Sequence, residues 1–453
     1  MDSRDLHVSG GTGGTYAQLE DLHTLAISSD DLAATLAQVS VECHTILADP
    51  NLAASAILDP AGAARFIETL LGALDGRGGL TALSVGYAER AVALRVVADA
   101  YRFTDAAQAQ LLDDIRWAAG YLAPAGVVVG LPLLLVAGGA AAVYFGLGGK
   151  FDYQRFITDH PGLVDDLVGA SPGLVTRLTG LFEGDVPSAA HLVGQLYPDG
   201  HATVTDAGID TSDPRATHLP NGFGDLMDGL DYRNGLAHAG SPDQIDVRVI
   251  THPDGSKAYV VDIPGTKVWD GPGSANPSLN DLGTNVHVLG GDVTAREEAI
   301  AEALRRAGAS PTDPVMLVGH SQGGMVAAQA AHDSGTGGFN FNVTHVLTAG
   351  SPIGRVDIPA NVQVLSLENS HDIVPHLDAA ANPDRPNRTT VTFDNQLGTI
   401  GGDHSTNKSY LPAAQALDTS ADPSVRAYRD SASAFLGTTN TGQTQVYDLT
   451  RTP

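Results

Sequence analysis

Pro314-Val315-Met316-Leu317-Val318-Gly319-His320-Ser321-Gln322-Gly323-Gly324-Met325-Val326-Ala327-Ala328 is the stretch on which the reading of this chain turns. Its first five residues are short, uncharged and apolar, the signature of a strand buried on both faces of a parallel sheet. From Gly324 the residues are small and helix-favouring. Between them lies G-x-S-x-G, with a glycine two residues either side of Ser321 so that strand and helix can cross closely. Strand, tight turn bearing a serine, then helix is the geometry of a nucleophile elbow. It places the hydroxyl at the carboxyl end of the sheet, where open α/β folds build their sites.

Working outward, elements on both sides continue an α/β alternation. Upstream, Asp246–Ile250 and Ala258–Ile263 are strand-like and flank the turn Pro253-Asp254-Gly255-Ser256. After Pro264-Gly265-Thr266 come a long polar loop, a short run Asn285-Val286-His287-Val288-Leu289, and an amphipathic helix from Thr294 to Ala307. Downstream, Val343–Ala349, Val362–Leu367 and Thr389–Phe393 read as strands, and Ser405–Leu417 and Pro423–Leu436 as helices. The fold class expected is α/β, with a mainly parallel sheet over 241–437.

The first half reads differently. Residues 1–14 are polar and glycine-rich, the composition of a disordered leader. An all-α domain is expected over 15–118: Leu19, Leu22, Leu25, Leu32, Leu36 and Val39 mark one helix, Asp59-Pro60 opens a second, and a third runs from Leu80 through Tyr101. Residues 119–149 form an apolar segment. No charge occurs between Arg116 and Lys150, and 125–145 is long enough for the roughly 20 residues of a membrane span or for a buried hairpin kinked at Pro132. Residues 150–240 read as a helical and linker region, and 438–453 as a flexible tail.

Composition bounds the function classes. The net charge of -27, from 52 acidic and 25 basic residues in 453, repels nucleic acid, and no basic patch offsets it. One cysteine, Cys43, allows no internal disulfide and no thiolate metal site. The first residues lack the basic and apolar regions of a cleaved signal peptide. Scarce lysine beside abundant alanine, glycine, aspartate and arginine resembles the coding bias of a high-GC bacterium.

A serine hydroxyl needs a base to take its proton, and the base needs a carboxylate to orient it. Ordered Ser, acid, His, each past a later strand, the partners are sought downstream of Ser321. The loop Glu368-Asn369-Ser370-His371-Asp372-Ile373-Val374-Pro375 supplies the acid, with Asp372 preferred and Glu368 and Asp378 as lesser candidates. Gly401-Gly402-Asp403-His404-Ser405 supplies His404 as the base, ahead of His371 and His376. His320 is expected to pack beneath the serine. Donors for the developing oxyanion are the backbone N–H of Gln322 and that of Thr266. The loop 269–285 has the aromatic and proline content of a lid or an acyl-pocket wall, and passive surface fits it equally. No spacing matches a metal loop, and the chemistry calls for no cofactor.

G-H-S-Q-G-G at Gly319–Gly324, Gly350-Ser351-Pro352, the D-x-V-P of Asp372–Pro375 and His404-Ser405 with Tyr410 together resemble α/β-hydrolases of the lipase/esterase type. Ile263-Pro264-Gly265-Thr266 with Trp269 resembles actinobacterial members of that superfamily. The resemblance covers 245–436 and implies a serine hydrolase acting on carboxylic or lipid esters. Tyr101-Arg102-Phe103-Thr104-Asp105 fits Y-x-x-x-D, and the helices before it resemble type VII secretion substrates, without their W-x-G turn. That resemblance implies a secretion-system partner and a cell-envelope or secreted location, the alternative being cytoplasmic. Two other functions fit the same residues: an acyltransferase on this scaffold, or an export-associated, membrane-active protein whose hydrolase-like domain only binds.

Overall fold

The computed structural model describes residues 5–76, 78–122, 153–237, 242–274, 276–437 and 440–452. The chain divides into two compact units, one of Tyr16–Leu111 and one of Met1–Thr15 with Leu112–Pro453.

In the first unit every described element is helical: Thr15–His44, Pro50–Leu58, Pro60–Asp75 and the start of Leu80–Leu122. Asp59 caps the third of the expected kind, its carboxylate accepting from Gly62 N at 2.9 Å with Pro60 behind it. The two long helices run antiparallel, since Ser84 Oγ donates to Ala33 O at 2.9 Å while Ser40 meets Thr81 at 3.0 Å. Their seam is not the leucine stripe. Leu25, Leu32 and Val39 are exposed, whereas Ala26, Ala33, Ala91 and Ala98 are buried, because small residues let two long helices approach closely. The final helix does not stop at Tyr101 but continues through Tyr101–Asp105 to Leu122. Among the described residues no helix is long and apolar enough to cross a membrane; the run 125–145 lies outside them.

The second unit is built on one nine-stranded mixed sheet. Its strands are β1 (His7–Gly10), β2 (His201–Ile209), β3 (Asp243–Thr251), β4 (Lys257–Ile263), β5 (Pro314–His320), β6 (Asn342–Ala349), β7 (Gln363–Asn369), β8 (Arg388–Phe393) and β9 (Thr441–Thr452). Their order is β1-β8-β7-β6-β5-β4-β3-β9-β2. The central five, β4 to β8, are parallel and lie side by side in chain order. β3 folds back on β4 through the expected turn, where Asp254 accepts from Ser256 N at 2.9 Å. β9, β2 and β1 are antiparallel to their neighbours.

Alternate residues of each strand feed two cores. Val315 and Leu317 face the helices Ala295–Arg306 and Gln322–Thr336, while Met316 and Val318 face Phe223–Leu236, Leu411–Leu417 and Pro423–Ser431. A β5 covered on both sides explains its uninterrupted apolar run.

Three expectations fail at the margins. The leader is ordered in part: β1 pairs with β8 in register His7↔Thr392, and Val8 packs on the core. The linker supplies β2 and the buried helix Phe223–Leu236. The tail is β9, inserted between β3 and β2, with Val446, Tyr447 and Leu449 buried. Threonine-rich composition is shared by loops and strands, so it could not separate them. The short run at 285–289 is helical, within Leu282–Leu289, because Asp281 caps Thr284 N at 2.9 Å.

Candidate active site

Ser321 sits between β5 and the helix Gln322–Thr336 with φ 55° and ψ -124°, a region that side-chain-bearing residues seldom occupy. The turn is held because Ser321 N donates to Ala349 O at 3.0 Å and Gly324 N to Ser321 O at 3.1 Å. The flanking glycines are required by contact. A Cβ on Gly323 would lie 2.0 Å from Ile263 O, and one on Gly319 2.4 Å from the Gly323 carbonyl.

The structure brings His404 and Asp372 together. His404 Nδ1 lies 2.6 Å from Asp372 Oδ2, and because a carboxylate accepts, Nδ1 carries the proton and Nε2 the lone pair. Asp372 is fully buried, and its Oδ1 accepts from Val374 N at 2.9 Å. Asn369, at the end of β7, donates its amide to Asn395 O and Asp403 O at 3.0 Å each, joining the acid's loop to the histidine's. His320 lies beneath: its Nε2 donates to His404 O at 2.9 Å, and the two rings are 4.3 Å apart. Burial holds His320 well below the usual imidazole range, so it is a neutral prop.

The other candidates face elsewhere. Glu368 accepts from Asn382 at 2.6 Å, and burial raises its carboxyl to about 7. Asp378 accepts from the backbone of Ala380 and Arg355, and burial raises it to about 6. His371 is bonded to Thr158 O at 3.1 Å, and His376 to Asp165 at 2.8 Å.

Gln322 is the first residue of its helix, so its N–H has no intrahelical acceptor. Thr266 follows β4, and its hydroxyl bonds Asn285, with Asn285 Nδ2 at 2.9 Å. Gly265 N donates to Asn234 Oδ1 at 3.2 Å. Arg296 ties Gln322 to the loop that carries Thr266. One guanidinium nitrogen donates to Gln322 Oε1 at 2.7 Å and the other to Pro264 O at 3.0 Å, while Asp243 pairs it at 2.8 and 3.0 Å. Sequence reasoning missed Arg296, a buried cation inside what reads as a charged surface helix.

Ser321, Gln322, Thr266 and His404 line one cavity of about 430 Å³. Its walls come from the 150–240 region, whose sequence announces only helices and linker. The helices Gly162–Gly169, Ser171–Thr179 and Val186–Gly194 turn Val168, Leu174, Val175, Val186, Ala190 and Val193 into it. The legible signal was the helical spacing of Val186, Ala190 and Val193. Trp269, Leu282 and Met325 add to the walls, and no Asp, Glu, Lys or Arg is among the lining residues. Among the described residues no hydrogen bond links Ser321 Oγ to the imidazole, and no cluster of His, Cys, Asp and Glu could hold a metal ion. Comparison of the chain with known protein families, curated proteins and solved structures finds no match in any of the three.

Proposed function

We propose that the protein is a serine hydrolase of the α/β-hydrolase type that cleaves carboxylic esters with an apolar acyl group. One observation carries the reading: His404, paired with Asp372, and a serine in a strained turn open on the same apolar cavity. Ser321 Oγ attacks the ester carbonyl as His404 Nε2 takes its proton. The tetrahedral oxygen takes up negative charge and is stabilised by the N–H groups of Gln322 and Thr266. Collapse breaks the bond to the alcohol oxygen, which receives the proton from His404, leaving an acyl-serine. Water then attacks the acyl carbonyl as the same imidazole takes its proton; collapse breaks the bond to Ser321 Oγ, which receives that proton, and the carboxylic acid departs. Asp372 stays ionised throughout and steadies the imidazolium. Catalytic hydrogen bonds are often long or unaligned before substrate binds, which accounts for the unbonded Ser321 hydroxyl.

The cavity's size and uncharged walls favour acyl chains over polar groups, lipid esters included. Ser321→Ala is expected to lower kcat toward a nitrophenyl ester by about 10⁴- to 10⁶-fold and to abolish labelling by a fluorophosphonate. A wild-type protein inert to both would sink the proposal. The unbonded hydroxyl equally favours a second reading, a binding module with an idle serine. Under that reading, fatty acid still binds but the wild type gives neither turnover nor labelling.

A further inference from the structure

Tyr410 has no part in the cycle just described, yet it is fully buried beside the charge that drives it. It ends the single π-helical turn Thr406–Tyr410, which follows His404 in the chain. Its hydroxyl lies 2.5 Å from Asp372 Oδ2, the same oxygen that stands 2.6 Å from His404 Nδ1. An ionised carboxylate only accepts, so the phenol and the imidazole both donate to one oxygen. The phenol oxygen in turn lies 3.4 Å from Asn369 N. The group is tightly enclosed: a Cβ on Gly350 would stand 2.7 Å from both Asp372 Oδ2 and Tyr410 Oη, and 3.0 Å from His404 Cε1.

We infer that Tyr410 is a positioning residue that sets the protonation range of His404 by taking up part of the charge of Asp372. A hydrogen bond to a carboxylate stabilises the anion and weakens its pull on a neighbouring imidazolium. The phenol therefore makes His404 a weaker base than an Asp–His pair alone would. Its catalytic meaning rests on the hydrolase reading; its electrostatic effect does not. The groups that face His404 are Asp372, Tyr410 and the neutral His320 ring. Around them stand Asp403, whose carboxylate accepts from Leu397 N at 2.6 Å, and Glu368, which acts on Tyr410. Lys267 acts through His320, and His376 lies within the field of Asp372.

Tyr410→Phe keeps the ring, whose edge packs on Phe393, and removes only the donor. The acidic limb of kcat/KM is expected to move to higher pH by about half a unit to one unit, with KM on the plateau unchanged. Histidine ¹⁵N NMR should show the same upward shift in the His404 ring titration without any turnover. Should the phenylalanine variant fail to fold, Tyr410→3-fluorotyrosine, a stronger donor, should move both readouts to lower pH. An unchanged His404 titration in either variant would overturn the inference. A wild type with no esterase activity and no fluorophosphonate labelling would overturn the hydrolase reading instead, and the NMR titration would still decide the part played by Tyr410.

Discussion

Arg296 makes four hydrogen bonds from its guanidinium: one reaches Gln322, which carries a proposed oxyanion donor, and one reaches Pro264, two residues before the other, Thr266. A planar fork can bridge Gln322 and Pro264 while pairing with Asp243; a single ammonium cannot. Arg296→Lys keeps the positive charge opposite buried Asp243, so the large penalty of an unpaired buried carboxylate is avoided. What it loses is geometry. The expected outcome is a fall in kcat on the order of 10- to 100-fold, below the full loss of one donor, with KM little altered. Steady-state kinetics on a nitrophenyl ester checks it. Equal losses in kcat and in affinity for a product fatty acid would show that the cavity, rather than the oxyanion site, had been disturbed.

At the scale of elements, the walls of the cavity are fastened to the sheet-bearing body by histidines. Asp165 of the helix Gly162–Gly169 accepts from His376 at 2.8 Å. His191 of the helix Val186–Gly194 lies 2.6 Å from Asp292, which also holds His287 at 2.8 Å. His371 bonds Thr158 O, on the helix Tyr153–Asp159. Burial lowers the affinity of His376 for its proton, but Asp165, Glu368 and Asp372 outweigh it, and its pKa is raised above 6.5. A raised histidine contributes stability that is fully present below the unfolded value and is lost as pH rises through the folded one. Hydrogen exchange in 153–194 should therefore quicken as pH passes the histidine range, after correction for intrinsic exchange. His376→Gln should flatten that dependence and raise opening at acid pH by roughly fivefold, the equivalent of about 1 kcal/mol. An unchanged opening profile in the variant would refute this fastening. None of it was legible in the sequence: His371 and His376 stood out only because they flank Asp372, and Asp165 is 211 residues away from its partner.

Over the whole molecule, β9 carries more of the fold than its composition announces. Val446, Tyr447 and Leu449 are buried, and each such side chain contributes about 1.5–3 kcal/mol. Deleting 441–452 forfeits a sum comparable with the 5–15 kcal/mol that holds a typical protein folded. The shortened chain is expected to lose cooperative urea unfolding and to collect in the insoluble fraction; a soluble, cooperatively unfolding product would contradict this. What the sequence made readable was local. The elbow is one contiguous strand–turn–helix, and Asp372 and His404 followed from order along the chain, each past a strand of its own. The apolar cavity walls, the seam of alanines and the pairing of β1, β2 and β9 depend on residues far apart in sequence, where neither period nor composition names the partner. That distance also has a consequence in time. β3 is complete at Thr251, but the strand that closes its outer edge begins roughly 190 residues later, at Thr441. At ribosomal rates of about 5–20 residues per second, that edge stays open for on the order of 10–40 s. Newly made chains therefore spend that interval presenting a long strand with one unpaired edge to one another, and shielding from a chaperone would matter most before the last strand emerges.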